Sequence, residues 1–407
     1  MKKTVLREYA KLIAKAGANV QKGQEVFITA ELDQPGFVAM VVDECYKLKA
    51  KKVVVDWSYQ PLTKLHVRYR SVKTLSTLDN YEEARWQHYV DTIPCRIYLI
   101  SEDPDGLRGV NQEKMAKSQQ AKYPIIKGYR DQIENKYQWC IAAVPGEKWA
   151  KKLFPELRAS QAVEKLWEAI LKTSRVTDDP IQAWEEHNKD LHDRCEYLNS
   201  LHIRELRYKS SNGTDFTVGM IPEAQFCGGG ETSLQGIFFN PNIPTEECFI
   251  SPMRGVAEGI VYATKPLSYQ GQLIDGFWIR FHEGKAVEWH AEENNELLTK
   301  LIEMDEGSRY LGECALVPFD SPINQTGFLF YNTLFDENAC CHLALGMGFA
   351  DTIRGFQNKS LEDCRKLGVN DSMIHEDFMI GSADLAIDAV CEDGKTVAIF
   401  REGTWAF

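Results

Sequence analysis

Residues 25–57 read EVFITAELDQPGFVAMVVDECYKLKAKKVVVDW, and their pattern decides the fold of the first half of the chain. Glu25 to Ala30 is an apolar run of strand length, Pro35 to Lys49 has helical spacing, and Lys52 to Trp57 is a second buried strand. A strand–helix–strand series of this length predicts a parallel pair joined by a right-handed crossover. Upstream, Leu6, Tyr9, Leu12, Ile13 and Ala16 fall on one face of a helix over Lys3 to Ala16. Downstream, Arg96 to Ser101 (RIYLIS) and Trp139 to Val144 (WCIAAV) repeat the strand pattern with helical stretches between. The expectation is an α/β N-terminal domain, doubly wound around a mostly parallel sheet.

Ala159 to Thr173 and Ile181 to Leu201 read as helices, broken at Asp178-Asp179-Pro180. Beyond Leu201 short β-rich runs take over: Glu205 to Tyr208, Phe216 to Met220, Gly259 to Tyr262, Gly276 to Phe281 and Ala286 to Glu288. Asn212-Gly213 and Glu283-Gly284 supply turn signals among them. The predicted division is 1–180 for the first domain and 181–407 for an α+β, β-rich C-terminal catalytic domain, with 159–201 as a helical bridge.

A chain of 407 residues suits two cores, and 44% hydrophobic with 11% aromatic content is that of a packed globular protein. The formal charge of −12 excludes nucleic acid and anionic membrane as main partners, because both require basic surface. No apolar stretch approaches a membrane span, and Arg7, Glu8, Lys11 and Lys15 interrupt any secretory h-region after Met1-Lys2-Lys3-Thr4. The eleven cysteines lack CxxC spacing and read as reduced, buried thiols, so the expected localisation is cytoplasmic. Nucleotide binding is not expected either. The first strand is followed by Ala30-Glu31-Leu32-Asp33-Gln34-Pro35 rather than a glycine fingerprint, and Gly228-Gly229-Gly230 lacks a following Lys-Ser/Thr and reads as a turn.

Nine histidines occur, and His342 and His375 are singled out because each has carboxylates at close range beside an apolar run. In Asp336-Glu337-Asn338-Ala339-Cys340-Cys341-His342, the stretch from Ala339 to Ala344 is predicted to start a helix, with Glu337 near its beginning and His342 about one turn inside. Cys340 and Cys341 are soft-ligand candidates, although buried thiols are usually inert core. In His375-Glu376-Asp377-Phe378-Met379-Ile380-Gly381, alternation puts His375 and Asp377 on one side of a strand that runs into the core, a metal pair or a salt-bridged strand end. Glu246-Glu247 and Glu313 add carboxylates before apolar runs, where an acid is costly unless paired or metal-bound. Together these pieces supply the ligands of a two-ion site with a position left open for water.

The stretches NPNIPTEE, LGE, FLFYNTLFDENACCHLALG and HEDFMIG, with GIVYATKPLSYQGQLIDG and the N-terminal opening, resemble the motifs of the thermophilic-type metalloaminopeptidase family (aminopeptidases T and S, PepS). The resemblance covers essentially the whole chain. It implies a cytoplasmic exopeptidase acting on short peptides, a homodimer, and two divalent ions per chain, zinc or cobalt, with manganese and magnesium as further options. Matched motif by motif, the metal ligands are Glu247, Glu313, His342, His375 and Asp377, with Glu337 in or beside the site. The chain departs from the family at Phe349, where a tyrosine usually stands.

The hypothesis for the reaction is release of an N-terminal residue through a metal-activated water, with Glu246 or Glu337 as general base. Arg254 is read as a surface salt bridge rather than a substrate contact. The alternative is a metal-binding homodimer with weak or lost peptidase activity, marked by Phe349. A dinuclear phosphoesterase is a further rival, and the sequence holds no basic or glycine-rich phosphate cradle for it.

Overall fold

The computed structural model describes residues 1–407, which fold into two compact units. The first holds Met1–His187 together with Gly230–Thr245, and the second holds Asn188–Gly229 with Glu246–Phe407. The division differs from the single boundary read near residue 180 in two ways. It falls inside the long helix Pro180–Ser200, and the segment 230–245 lies with the first unit.

In the first unit, β1 (Glu25–Glu31), β2 (Lys52–Ser58), β3 (Cys95–Ile100) and β4 (Trp139–Ala143) form a parallel sheet in the order β2-β1-β3-β4, completed by Asn242–Ile243 beside β4. The order reverses at β1, as in a doubly wound sheet. The helix Pro35–Lys47 connects β1 to β2 as expected, with its proline at the first turn, where no backbone N–H is needed. The first helix covers the predicted range but changes type along it. It is α-helical over Lys3–Leu12 and widens into a π turn over Ile13–Gly17. There Asn240, from the returning segment, donates its backbone N–H to Gly17 O and its side-chain amide to Ala16 O, each at 2.8 Å. These bonds occupy carbonyls that a longer helix would have used itself.

The second unit is built on antiparallel sheets, one of nine strands and one of four. The β-rich runs expected between residues 205 and 288 lie in the larger sheet. Its hairpin at Glu283-Gly284 has positive φ at both residues (48° and 75°), the conformation a tight two-residue hairpin turn requires. The smaller sheet pairs β5 (Cys248–Ile250), β6 (Leu311–Leu316), β7 (His342–Gly346) and β8 (His375–Met379) in that order. One apolar core joins the two sheets, with Phe277 of the larger sheet and Phe378 of β8 in ring contact at 5.9 Å. No helix is long and apolar enough to cross a membrane.

Candidate metal centre

All six carboxylates and imidazoles read from the sequence as ligands lie in the second unit, on or beside the four-stranded sheet. Glu247 immediately precedes β5, Glu313 is in β6, His342 opens β7, and His375 and Asp377 lie in β8. Ala344 pairs with Glu313 on one side and with Asp377 on the other, so the register sets those two acids on strands flanking the same residue.

His342 is on a strand, not the predicted helix. Residues 340–346 are all buried, and a short continuous apolar run does not distinguish a buried strand from a buried helix by periodicity. The helical turn comes earlier, as an α turn over Thr333–Asp336 and a 3₁₀ turn over Glu337–Ala339, after which Cys340 is extended. Glu337 therefore sits on a compact turn, and the His342 ring reaches back to it, with Nδ1 2.8 Å from Glu337 O.

His375 is held in the same way, with Nδ1 2.7 Å from the Met347 carbonyl. A carbonyl can only accept, so both Nδ1 atoms carry the proton, and in the neutral ring Nε2 is left with its lone pair. Those Nε2 atoms face carboxylates. His342 Nε2 lies 3.3 Å from Glu247 and 3.9 Å from Asp377, and His375 Nε2 lies 3.0 Å from Glu313 and 3.4 Å from Asp377. Two groups of ligand atoms result, Glu247–Glu313–His342 and Glu313–His375–Asp377, each within 4.8 Å and with Glu313 common to both.

The residues fit divalent cations. A backbone carbonyl fixing the far nitrogen is how proteins orient metal-binding imidazoles. Asp377 Oδ1 is buried and, at those distances from the two imidazoles, makes no hydrogen bond of acceptable geometry. Carboxylates outnumber imidazoles in the cluster, which leaves buried negative charge that protons or cations must neutralise. Protons do so in the metal-free protein. Burial raises Glu313 to about 7 and puts Glu337 well above its ordinary value, where the charges of Asp377, Glu247 and Glu313 push it further. Burial works against His342, but its hydrogen bond to Glu247 and the charges of Asp377 and Glu247 hold it up at about 9. His375 is likewise held high against burial by Asp377 and Glu313, and the two imidazoles together keep Asp377 low.

The other site candidates sort simply. Glu246 belongs to neither group of ligand atoms and gives its N–H to Asn338 Oδ1 at 2.7 Å. Cys341 exchanges contacts with the Val317 backbone, and burial raises the Cys340 thiol to about 11, so both are core. Arg254, read as a salt-bridge residue, lies over the Tyr310 ring at 4.5 Å instead. The glycine cluster bends at Gly229, with positive φ at Gly229 and Gly230, and a Cβ on Gly228 would come within 2.6 Å of Glu247 O. His88 and His282 do have carboxylate partners, Glu25 and Glu258, but each has only one. Phe349 packs on the His375 ring at 4.7 Å, with its backbone N–H on Ser251 Oγ at 2.7 Å.

Sequence reasoning missed the supports. The Met347 carbonyl carries no residue-type signal at all. Gly312 does, because it stands in Leu311-Gly312-Glu313 at a break in the β6–β7 register, where a bulge re-aims the following side chain. A Cβ there would lie 2.2 Å from Met347 O, against backbone that cannot swing aside. Gly312→Ala should therefore cost about 1–3 kcal/mol and weaken zinc binding through the displaced His375 acceptor. Urea unfolding and a chelator competition read the two effects. Parental values in both would mean that the strands separate freely.

Comparison with known proteins bears on what such a site does. The family profile described as thermophilic metalloprotease (M29) matches residues 2–405. Aminopeptidase AmpS of Bacillus subtilis (strain 168) and Aminopeptidase 2 of Geobacillus stearothermophilus are each 40% identical over 404 residues, 99% of this chain and 98% of theirs. The solved structure of wild-type AmpT from Thermus thermophilus is 36% identical and superposes with a TM-score of 0.89, covering 100% of both chains.

Proposed function

This chain belongs to the thermophilic metalloprotease (M29) family, and from that premise we propose that it is a metal-dependent aminopeptidase releasing N-terminal residues from short peptides. One observation carries the reading. Two imidazoles, turned by backbone carbonyls, aim Nε2 at carboxylates in two ligand groups that share Glu313. The proposed ligands are Glu247, Glu313, His342, His375 and Asp377, arranged for two ions with Glu313 common to both, and zinc or cobalt suits their oxygen and nitrogen donors. Such ions, when bound, supply Lewis acidity to a carbonyl and lower the pKa of a water towards about 7.

The chain's own residues supply the rest. Glu337, raised by burial and by its acidic neighbours, is the proposed general base. It takes the proton of the attacking water and returns it to the leaving amine. Glu246, the other candidate, stands outside both ligand groups as Glu337 does, but the Glu337 carboxyl hydrogen-bonds the proposed ligand Asp377. Phe349 excludes water from one face of His375. Cysteines that stand as thiols fit a reducing cytoplasm, and a homodimer is the proposed assembly, as the family resemblance implies.

Hydrolysis of aminoacyl-p-nitroanilides tests the proposal, with activity expected after zinc or cobalt loading and lost on chelation. No turnover with zinc, cobalt or manganese would sink it. Phe349 favours the second reading, a metal-binding dimer with little turnover. That reading prevails if the parent is inert and Phe349→Tyr gains activity.

A further inference from the structure

Building on the aminopeptidase reading, we propose that Asn338 is a positioning residue that locks the Glu337 carboxylate and the Glu246–Glu247 segment into one rigid frame. Asn338 is fully buried, and its side-chain amide is used from both ends. Oδ1 accepts the backbone N–H of Glu246 at 2.7 Å, across 92 residues of sequence. Nδ2 donates to Leu334 O at 3.0 Å and to Glu337 Oε1 at 3.3 Å. The partners fix the amide's orientation, because an N–H needs the oxygen and a carbonyl needs the nitrogen.

The bonds tie together parts that the fold otherwise supplies separately. Leu334 belongs to the turn that carries Glu337, so one Nδ2 group pins both the turn and the acid it presents. The Glu246 N–H lies on the residue immediately before Glu247, whose carboxylate meets His342. Asp336 braces the same turn from its other side, accepting the N–H groups of Phe330 at 2.8 Å and Asn332 at 2.9 Å. Only a side chain with an acceptor and a donor on one rigid plane serves both segments. Aspartate lacks the donor, and leucine lacks both.

The test uses the full chain, with zinc alone as the metal probe. Asn338→Asp keeps the volume and the Glu246 acceptor but loses the donor, whereas Asn338→Leu keeps only the volume. Zinc affinity, read by competition with a chromophoric chelator, should fall about 10–100-fold in Asn338→Leu, which frees the Glu246–Glu247 segment, and less in Asn338→Asp, which keeps that contact. On aminoacyl-p-nitroanilides kcat should fall about 10–100-fold in both, with KM within about threefold of the parent's. In a Glu337→Gln background, Asn338→Asp should add less than about threefold to the loss of kcat, since the carboxylate it acts through is gone. Folded variants with zinc affinity and kcat within about threefold of the parent's overturn the proposal, as does a fully additive loss in the Glu337→Gln background. A parent that binds no zinc overturns the metal reading itself, which is a different result. Should neither variant fold, the parent labelled with ¹⁵N-asparagine decides. A side-chain amide signal that moves on zinc addition supports the role, and no such response overturns it.

Discussion

Glu337→Gln is expected to lower kcat by about 10²–10⁴-fold, the range for loss of a positioned general base, with metal content and KM little changed. The substitution keeps the shape and the oxygen that accepts the Asn338 amide, and it removes the ability to take a proton. It also removes the carboxyl that burial and the charges of Asp377, Glu247 and Glu313 hold well above its ordinary value. Metal analysis and steady-state kinetics on the same preparation decide between roles. Turnover kept above one-tenth of the parent's removes Glu337 from the chemistry. Loss of bound metal with unchanged turnover per ion makes it a ligand instead.

The second large effect comes from protons and cations competing for the same atoms. Binding a cation requires bare Nε2 atoms, yet carboxylates hold His342 up at about 9 and His375 well above its ordinary value. Two imidazole protons must leave, one from each ligand group, and below about pH 7 the Glu313 carboxyl proton leaves as well, so overall two-ion zinc affinity should climb by about 100-fold per pH unit between pH 7 and pH 8 and more steeply below. Chelator competition between pH 6 and pH 8 measures the slope, and a rise below about tenfold per unit would sink the assigned protonation.

The same shifts fix how stability depends on pH in the metal-free protein. A group whose pKa is raised by folding stabilises the fold fully below its unfolded value, and that contribution is lost as pH rises through the folded one. For His342 the window runs from 6.5 to about 9, on the order of 3 kcal/mol, and for Glu313 it runs from 4.5 to about 7 in the same direction. Asp377 has the opposite sign and acts only below its ordinary value of 3.8. Chelated protein should therefore melt lower as pH goes from 6 to 9, while zinc-saturated protein gains stability through tighter binding. Parallel slopes in the two melting series would exclude the linkage.

The first unit's sheet was legible because each strand is a contiguous apolar run between helical stretches, and β1 to β4 lie within a residue or two of where the pattern puts them. Its fifth strand, Asn242–Ile243, was not legible. Two residues make no period, and the partner strand lies far away in sequence. In the site, His375 and Asp377 were readable because strand alternation puts them on one side without reference to anything else. Glu247 could not be separated from Glu246 locally, since only the approach of His342 distinguishes them. The element under His342 was misread because burial on every side erases periodicity. The carbonyls of Met347 and Glu337 that orient the imidazoles lie beyond any reading of residue types, because backbone groups are the same at every position.

The segment Gly230–Thr245 makes the first unit discontinuous, and that has a consequence for biosynthesis. The strand beside β4 leaves the ribosome only after everything from Ala143 to Asn242 has been made, roughly 5–20 s later at ordinary elongation rates. Until then the nascent sheet exposes β4 as an open edge, and the carbonyls of Ala16 and Gly17 wait for Asn240. A fragment ending near His187 would hold that vulnerable intermediate permanently. Expression of such a fragment should yield a chain that binds chaperones or aggregates rather than a smaller folded protein.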